Sequence, residues 1–320
     1  RRVPHGRAFM FLSSIWRRRM TGTAITPSRA EFIELAKLHT VVPVWTQILA
    51  DLETPVAAFI KLVGDGDGFL LESVEHGERW SRYSFVGRNP RGTLTLRNGM
   101  LTVSGDVPAS VPLDKGMLAA MEELLRIYRA PLFPDLPPLQ GGLMGHLGYD
   151  VVREIEDLPN VPRDDRDLPD ASISIIGSLA AFDHWRQRVY MLESVPVAGL
   201  TDAQIGEAYD AAVIRVHEAV ADLARPLAYV AVEPPVAGEN LPKTRSSMPD
   251  GQYRSAVDVA KEYIRAGDIF QVVLSQRFDI DLTADPFDVY RVLRQVNPSP
   301  YMYFLRQPDL TIVGGSPEPL

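Results

Sequence analysis

The sequence of 320 residues contains no cysteine. This absence excludes disulfide bonds, thiolate metal sites and a cysteine nucleophile. It is compatible with a reducing compartment, and we expect the protein to be cytoplasmic. The chain also has no run of about 20 apolar residues, the length that a membrane-spanning helix needs. We therefore expect no membrane partner.

Basic residues are fewer than acidic ones, with 33 Lys and Arg against 41 Asp and Glu and a formal net charge of −8. Because nucleic-acid binding depends on clustered Lys and Arg, we expect no nucleic-acid partner. A hydrophobic content of 46% with 23% charged residues is typical of a soluble globular protein. The length is sufficient for one large domain or two ordinary ones.

Residues 1–19 lack acidic side chains and contain six arginines. Two interpretations are open. The segment is either a non-native extension ahead of a true start at Met20, or a basic segment of the kind that targets proteins to organelles. Both interpretations exclude residues 1–19 from the fold.

Helix signals recur along the chain. Ser28 and Glu31 have the spacing of a capping box, and Thr54-Pro55 is a typical helix start. One apolar face of a later helix is predicted to carry Leu118, Met121, Leu125 and Tyr128. The predicted helices span residues 28–38, 54–64, 114–129, 201–223 and 253–264, with another starting at 285.

Strand signals lie between these helices. Asn98-Gly99 separates two apolar-polar alternations, which is a strong hairpin signal because both residues tolerate positive φ. A proline-rich stretch at 226–249 predicts a linker. The predicted strands span residues 69–74, 81–86, 93–103, 142–149, 171–192 (with a turn near Asp183-His184), 270–278, 301–305 and 310–313. Because helices and hairpins form separate blocks, the sequence predicts an α+β fold with antiparallel sheets.

Several short motifs do not support a chemical function. The segment 64–68 precedes a strand and lacks the third glycine of a dinucleotide fingerprint, so it predicts a surface turn. The chain has no Gly-x-Ser-x-Gly elbow. The following histidines are isolated, with no pair at metal-ligand spacing: His39, His76, His146, His184 and His217.

Three dense motifs occupy the end of the chain. They are Gly267-Asp268-Ile269-Phe270-Gln271-Val272-Val273-Leu274-Ser275-Gln276-Arg277-Phe278, Asn297-Pro298-Ser299-Pro300-Tyr301-Met302-Tyr303-Phe304 and Gly314-Gly315-Ser316-Pro317-Glu318. Weaker segments precede them in order: Leu70-Leu71-Glu72-Ser73, Arg82-Tyr83-Ser84-Phe85-Val86-Gly87 and Gly145-His146-Leu147-Gly148-Tyr149-Asp150. Together they resemble the chorismate-utilising enzymes, and among these most closely the large subunits (component I) of anthranilate synthases.

This resemblance implies a fold of antiparallel sheets packed as a sandwich with flanking helices. It also implies a regulatory N-terminal region at 20–225, a linker at 226–249 and the start of a truncated chorismate-binding catalytic domain at 250–320. Family members of this type act as lyases that convert chorismate and ammonia to anthranilate and pyruvate, the first step of tryptophan biosynthesis. A glutamine amidotransferase subunit (component II) supplies the ammonia, in line with the lack of cysteine here. They use magnesium, whose ligands we expect downstream of this chain.

Two catalytic residues follow from the resemblance. Gln271 occupies a place where water-adding relatives carry a lysine general base, and a carboxamide has no useful pKa for that task. Gln271 therefore favours an amine-adding member, unless it is only a polar strand residue. Glu318 resembles a family glutamate suited to proton transfer or to positioning ammonia, unless it is an exposed loop acid. No metal ligand can be named in the sequence.

The resemblance also implies a feedback site for tryptophan between the Leu-Leu-Glu-Ser strand and the Asn-Pro-Ser-Pro-Tyr-Met segment. The two prolines of that segment stiffen its backbone, and a thioether suits an indole ring. The alternative is that Met302 and Tyr303 merely alternate across a core strand. The expected tryptophan-binding residues are Glu72, Ser73, Asn297, Pro300, Tyr301, Met302 and Tyr303.

Other functions stay open. The first is aminodeoxychorismate synthase component I, because its members can share the Leu-Leu-Glu-Ser strand and the discriminating Pro-Ile-x-Gly-Thr motif lies downstream. The second is a non-catalytic fragment that binds tryptophan or docks a subunit. Whether the whole protein is an anthranilate synthase or an aminodeoxychorismate synthase, we expect this chain to be inactive by itself.

Overall fold

Within residues 23–73, 82–229, 231–236 and 242–317, which a computed structural model of the chain describes, the backbone forms six α-helices, one 3-10 helix and thirteen strands. The helices are α1 (Arg29–Ala36), α2 (Pro55–Leu62), α3 (Gly116–Ile127), the 3-10 helix (Tyr149–Glu154), α4 (Asp202–Leu223), α5 (Gln252–Ala266) and α6 (Pro286–Val296). The strands are β1 (Val41–Leu49), β2 (Gly68–Glu72), β3 (Tyr83–Arg88), β4 (Gly92–Arg97), β5 (Met100–Gly105), β6 (Leu143–Leu147), β7 (Ala171–Ile175), β8 (Ser178–Asp183), β9 (Arg188–Pro196), β10 (Thr244–Ser246), β11 (Phe278–Ile280), β12 (Tyr301–Arg306) and β13 (Thr311–Ser316).

Some sequence predictions lie outside the described residues. These are the basic extension 1–19, the glutamate Glu318, and part of the linker 226–249. The described part of the chain contains no helix long and apolar enough to cross a membrane.

The chain divides into two compact units. The larger unit groups residues 1–230 with residues 293–320, and the smaller unit holds residues 231–292. The last two strands of the chain therefore belong to the same unit as the first nine. The linear division at 226–249 stays a prediction.

A seven-stranded sheet forms the centre of the larger unit, in the order β1-β9-β8-β3-β2-β12-β13. Every neighbouring pair in it is antiparallel. Pro43 lies in β1, at an edge of the sheet, where a residue without an N–H group does not break a ladder. Thus the α+β class predicted from the sequence is confirmed.

Helices cover one face of this large sheet. Phe59 of α2 packs edge-on against Phe304 of β12, with ring centroids 5.2 Å apart. Phe32 of α1 packs against Tyr209 of α4, and the Tyr209 hydroxyl donates to the Pro27 carbonyl at 2.9 Å. The Ser28–Glu31 capping box predicted for α1 is present, so both of its side chains bond backbone N–H groups.

A four-stranded sheet, in the order β5-β4-β7-β6, lies in the same unit. Its Leu143 belongs to a core cluster with α3, whereas the adjacent Met144 packs into the core cluster of the large sheet. Because successive side chains of a strand point to opposite faces, the small sheet has α3 on one face and the large sheet on the other. The Gln307 amide adds a polar link, donating to the carbonyl and hydroxyl of Ser172 in β7 at 3.1 and 2.9 Å.

The hairpin predicted at Asn98-Gly99 is confirmed, since both residues have positive φ, 52° and 72°, between β4 and β5. Helix α3 is also confirmed, although Leu125 of its predicted apolar face is 60% exposed. The buried side chains of α3 are Met117, Ala120 and Leu124. Three residues of the predicted face, Leu118, Met121 and Tyr128, are partly buried against the same core, so the prediction is confirmed for these and wrong for Leu125.

The strand predicted at 171–192 is three strands. The turn near Asp183-His184 is present between β8 and β9, but the chain also leaves the small sheet for the large one at Ile176-Gly177. A Cβ atom on Gly177 would overlap with the Asn89 carbonyl oxygen. The sequence pattern misses this crossing because both halves are apolar and only the tertiary structure separates them.

The strand predicted at 270–278 is wrong for most of its length. Of the predicted span only Phe278 is strand, as the first residue of β11, which pairs with β10, and residues 270–277 are irregular. A strand needs a hydrogen-bonded neighbour, and among the described residues this segment has no ladder partner. Apolar alternation alone therefore does not produce a strand here.

We expect Gly177→Ala to destabilise the larger unit by about 3 kcal/mol, because a methyl group would press on the backbone of residue 89 where the chain crosses between sheets. Urea unfolding followed by circular dichroism measures the loss. Gly99→Ala is the control, because a Cβ there meets no atom within 4 Å and only the left-handed backbone is strained, at about 1 kcal/mol. An equal loss in the two variants would contradict the role assigned to the crossing.

Candidate functional site

The predicted ligand segments meet where β2 pairs with β12. The antiparallel register places Met302 opposite Glu72 and Tyr303 opposite Leu71. Residues directly opposite each other in such a pair share a face of the sheet. We call this region the β2–β12 junction, comprising Glu72, Ser73, Arg294, residues 297–303 and residues 314–316.

The Glu72 carboxylate is buried and forms a two-pronged ion pair with Arg294, at the end of α6. The Arg294 Nε lies 2.8 Å from Oε2, and its Nη2 donates to Oε1 at 3.1 Å. The side chain of Glu72 is 4% exposed, so this pair is shielded from solvent. A buried carboxylate without such a partner would be strongly destabilising, and the pair thus fixes the end of α6 against β2.

The Ser73 hydroxyl follows directly on the strand. It is buried and has no hydrogen-bond partner among the described residues. Leaving a buried hydroxyl unpaired costs about 1–3 kcal/mol. Ser73 therefore offers a ligand a buried polar group at the junction.

Two adjacent glycines of β13 make room for the side chains of β12. A Cβ on Gly315 would lie 2.8 Å from the Met302 Sδ, and one on Gly314 would lie 2.5 Å from the Tyr303 hydroxyl. Any larger residue would displace Met302 on one face of the sheet or Tyr303 on the other. This close approach is the physical reason for the Gly-Gly pair in the third motif.

Ser299 locks the loop that leads into β12. It is 4% exposed, and its hydroxyl donates to the Ser316 carbonyl and accepts from the Tyr301 N–H at 3.4 Å. The loop is thereby held to the first residue of β12 and to the last residue of β13. Its flanking residues Asn297 and Pro298 are exposed.

The sheet divides the predicted tryptophan-binding residues into two groups. Met302, 1% exposed, shares a face with Glu72, whereas Tyr301 and Tyr303 point to the other face. Tyr301 is 40% exposed and Pro300 is half-buried. The structure therefore brings Glu72 and Met302 together on one face, with Ser73 next in the chain, and the role assigned to these residues stays a prediction.

The structure describes one of the two predicted catalytic residues. Gln271 lies in the smaller unit, exposed, in the irregular segment 270–277. Glu318 lies outside the described residues.

Sequence reasoning missed Arg294, Ser299 and the reason for Gly314-Gly315. Arg294 carries no motif signal, because an arginine near the end of a helix is usually explained by the helix dipole. Ser299 lies inside the motif at 297–304, but the contacts of its hydroxyl depend on the β12–β13 hairpin, whose pairing only the tertiary structure reveals.

Magnesium does not fit the described residues. Within them, no group of three or more His, Asp or Glu side chains is arranged to hold a metal ion. We therefore assign no chemical step to a metal at this site.

Comparisons with known proteins agree with the motifs. The family model described as chorismate binding enzyme matches residues 74–320. Anthranilate synthase component 1 of Mycobacterium tuberculosis strain H37Rv is 41% identical over 307 residues, which are 93% of this chain and 59% of the relative. The Thermus thermophilus protein of the same name is 42% identical over 278 residues, covering 85% of this chain and 55% of the relative.

A solved structure is also similar. The crystal structure of anthranilate synthase component I from Streptococcus pneumoniae TIGR4 matches with a TM-score of 0.59 and 27% identity, over 85% of this chain and 57% of that one. The chain thus spans just under three fifths of the length of these relatives. Because the family model covers well over half of the sequence, and the structural match supports the same fold, the chain belongs to the chorismate binding enzyme family.

Proposed function

We propose that the chain is the N-terminal part of an anthranilate synthase component 1, a cytoplasmic lyase that converts chorismate and ammonia to anthranilate and pyruvate. The observation that carries this proposal is the identity of 41% over 93% of the chain to a relative of that name. Because the chain spans 59% of that relative, the activity is proposed for the whole protein. A partner glutamine amidotransferase subunit would supply the ammonia.

Gln271 supports ammonia as the nucleophile. A carboxamide is neutral and cannot act as a general base at pH 7, so it leaves water unactivated. Neutral ammonia needs no such activation. Glu318 is proposed as the acid that moves a proton or positions ammonia.

The surface of the smaller unit supports a longer functional protein. No residue of α5 is buried, and Phe270 and Val273 nearby are 102% and 89% exposed. Exposed apolar side chains in such density are typical of a surface that another segment covers. We propose that the part of the relatives not spanned here covers it and supplies the magnesium ligands.

The 320-residue chain by itself should therefore form no anthranilate from chorismate, ammonium and magnesium, whereas the extended chain should. Anthranilate fluorescence measures both. The physical reason is that the described residues provide no metal-holding cluster and leave the segment around Gln271 without neighbouring strands. Anthranilate formation by the 320-residue chain would contradict this prediction.

We propose further that the β2–β12 junction binds tryptophan as a feedback inhibitor of the whole protein. The unpaired, buried Ser73 hydroxyl supports a ligand there, since a ligand amine or carboxylate would satisfy it. The Glu72 carboxylate is bound to Arg294 through both oxygens. Its role would accordingly be to hold the junction in shape.

In the whole protein, Ser73→Phe should weaken tryptophan inhibition at least about tenfold, or about 1.4 kcal/mol, because the ring occupies the ligand's space and removes the hydroxyl. Activity without tryptophan should persist. Inhibition curves measured by anthranilate fluorescence test this. Ser104→Phe, an exposed strand position in the small sheet, is the matched control and should retain the parental curve. An unchanged curve for Ser73→Phe would remove the junction as the tryptophan site.

Gln271→Lys in the whole protein should allow some water attack and depress anthranilate formation, because desolvation lowers the pKa of a buried lysine and makes it a base. Chromatography of products from chorismate and magnesium, with and without ammonium, would reveal a hydroxylated product. Gln252→Lys on α5 is the control. Parental anthranilate formation without any hydroxylated product would show that Gln271 does not select the nucleophile.

A further inference from the structure

A cavity of about 270 Å³ lies in the larger unit, and none of its lining residues belongs to the β2–β12 junction. Its walls are the last turn of α3, residues 130–142 that connect α3 to β6, and parts of β1, β7 and β9. We call it the connector cavity. Its volume is near the lower end of the range for small-molecule sites.

The mouth of the connector cavity is apolar. Leu125 and Leu132 line it and are 60% and 80% exposed. Ile175 and Ile176 line it from the sheets and are 5% and 4% exposed. An apolar body entering this mouth would lose contact with water on several sides, which is the main favourable term in small-molecule binding.

One guanidinium group lines the connector cavity. Arg91 donates from Nε to the Ser194 carbonyl at 2.8 Å, and its Nη2 donates to the same oxygen. Its Nη1 has no hydrogen-bond partner among the described residues. Two N–H groups of a largely buried cation are thus available to an acceptor in the cavity.

The charge around Arg91 is unbalanced. Arg91 Nη2 lies 3.6 Å from the buried Glu193 carboxylate, but that carboxylate already accepts from Arg215 at 2.7 Å and from the Ser178 hydroxyl at 2.5 Å. Two cations therefore share one buried anion. Burial lowers the pKa of Arg91, with Glu193 opposing the shift and Arg215 adding to it.

The remaining nearby charge is Asp106, which acts on Arg91 and on Tyr128 from an exposed position. Solvent screens an exposed carboxylate, so it compensates a buried cation only weakly. An anion inside the connector cavity would compensate Arg91 directly.

Two hydroxyls complete the polar lining. Tyr128 and Ser194 line the cavity, and neither hydroxyl has a hydrogen-bond partner among the described residues. Burial raises the pKa of Tyr128, so its phenol stays a neutral donor. Together with Arg91, these groups give the cavity several donors for one acceptor group.

The wall opposite these donors is already formed. The Gln140 side chain donates to the Phe133 carbonyl at 2.9 Å and accepts from the Phe133 N–H at 3.2 Å, which ties the two ends of the connector together. Gly142 has a φ of +120°, and a Cβ there would meet no atom within 4 Å. The hydrogen bonds between Gln140 and Phe133 hold this wall in place, so binding requires little rearrangement.

We propose that the connector cavity binds a small organic carboxylate with an apolar body, its carboxylate on Arg91 and its body between Leu125 and Leu132. A carboxylate matches a guanidinium in charge and in geometry. The apolar mouth selects against small hydrophilic anions. This site is independent of the function proposed above.

Calorimetric titration of the 320-residue chain with phenylacetate tests the proposal, with phenylacetamide and acetate as matched probes. We expect phenylacetate to bind at least tenfold more tightly than either. The amide lacks the charge and acetate lacks the apolar body. Absent binding of phenylacetate, or equal binding of the amide, would overturn the proposal.

Variants locate the site. Leu132→Glu places a negative charge at the mouth and should weaken phenylacetate binding at least tenfold, whereas Leu52→Glu, at a leucine 90% exposed elsewhere, should not. Arg91→Met should abolish binding, and if circular dichroism shows that it fails to fold, Leu132→Glu decides. Ser73→Phe should leave binding unchanged. Loss of binding in Ser73→Phe with retention in Leu132→Glu would place the ligand at the junction and refute the connector site.

Discussion

The pairing of β2 with β12 is the contact on which the larger unit depends. It joins Glu72 to Met302 across most of the sequence. The chain must therefore lose the conformational entropy of a very long loop when this ladder forms. Without it, β12 and β13 would have no place in the seven-stranded sheet, and β2 would become an exposed edge. The Phe59–Phe304 contact and the Glu72–Arg294 pair both require this ladder.

Close backbone approach is a second constraint, and it acts where the chain joins its sheets. Gly177 passes against the backbone of residue 89 as the chain leaves the small sheet, and Gly314 and Gly315 lie under the side chains of Tyr303 and Met302. These positions have no room for a Cβ atom. The glycines of the family motif are therefore packing elements of the hairpin that carries the candidate site.

Buried charge marks two places in the same unit. At the β2–β12 junction, Glu72 and Arg294 neutralise each other, and the Ser73 hydroxyl has no partner within the described part of the chain. Next to the connector cavity, Arg91 and Arg215 share the carboxylate of Glu193, and of these two cations Arg91 lines the cavity. The first arrangement suits a ligand with both donors and acceptors, and the second suits an anion. The difference follows from how many charges each part of the core encloses.

The sequence by itself determined the α+β class, the Asn98-Gly99 hairpin, the capped start of α1 and the family, because these depend on local spacing or on motif order. It wrongly predicted a strand at 270–277, since a strand depends on a neighbour rather than on its own alternation. Only the tertiary structure decided that Arg294 pairs with Glu72, that Leu125 faces a cavity mouth, and that Met302 lies opposite Glu72. These relations join residues far apart in sequence, and the register that creates them is set by the packing of whole sheets.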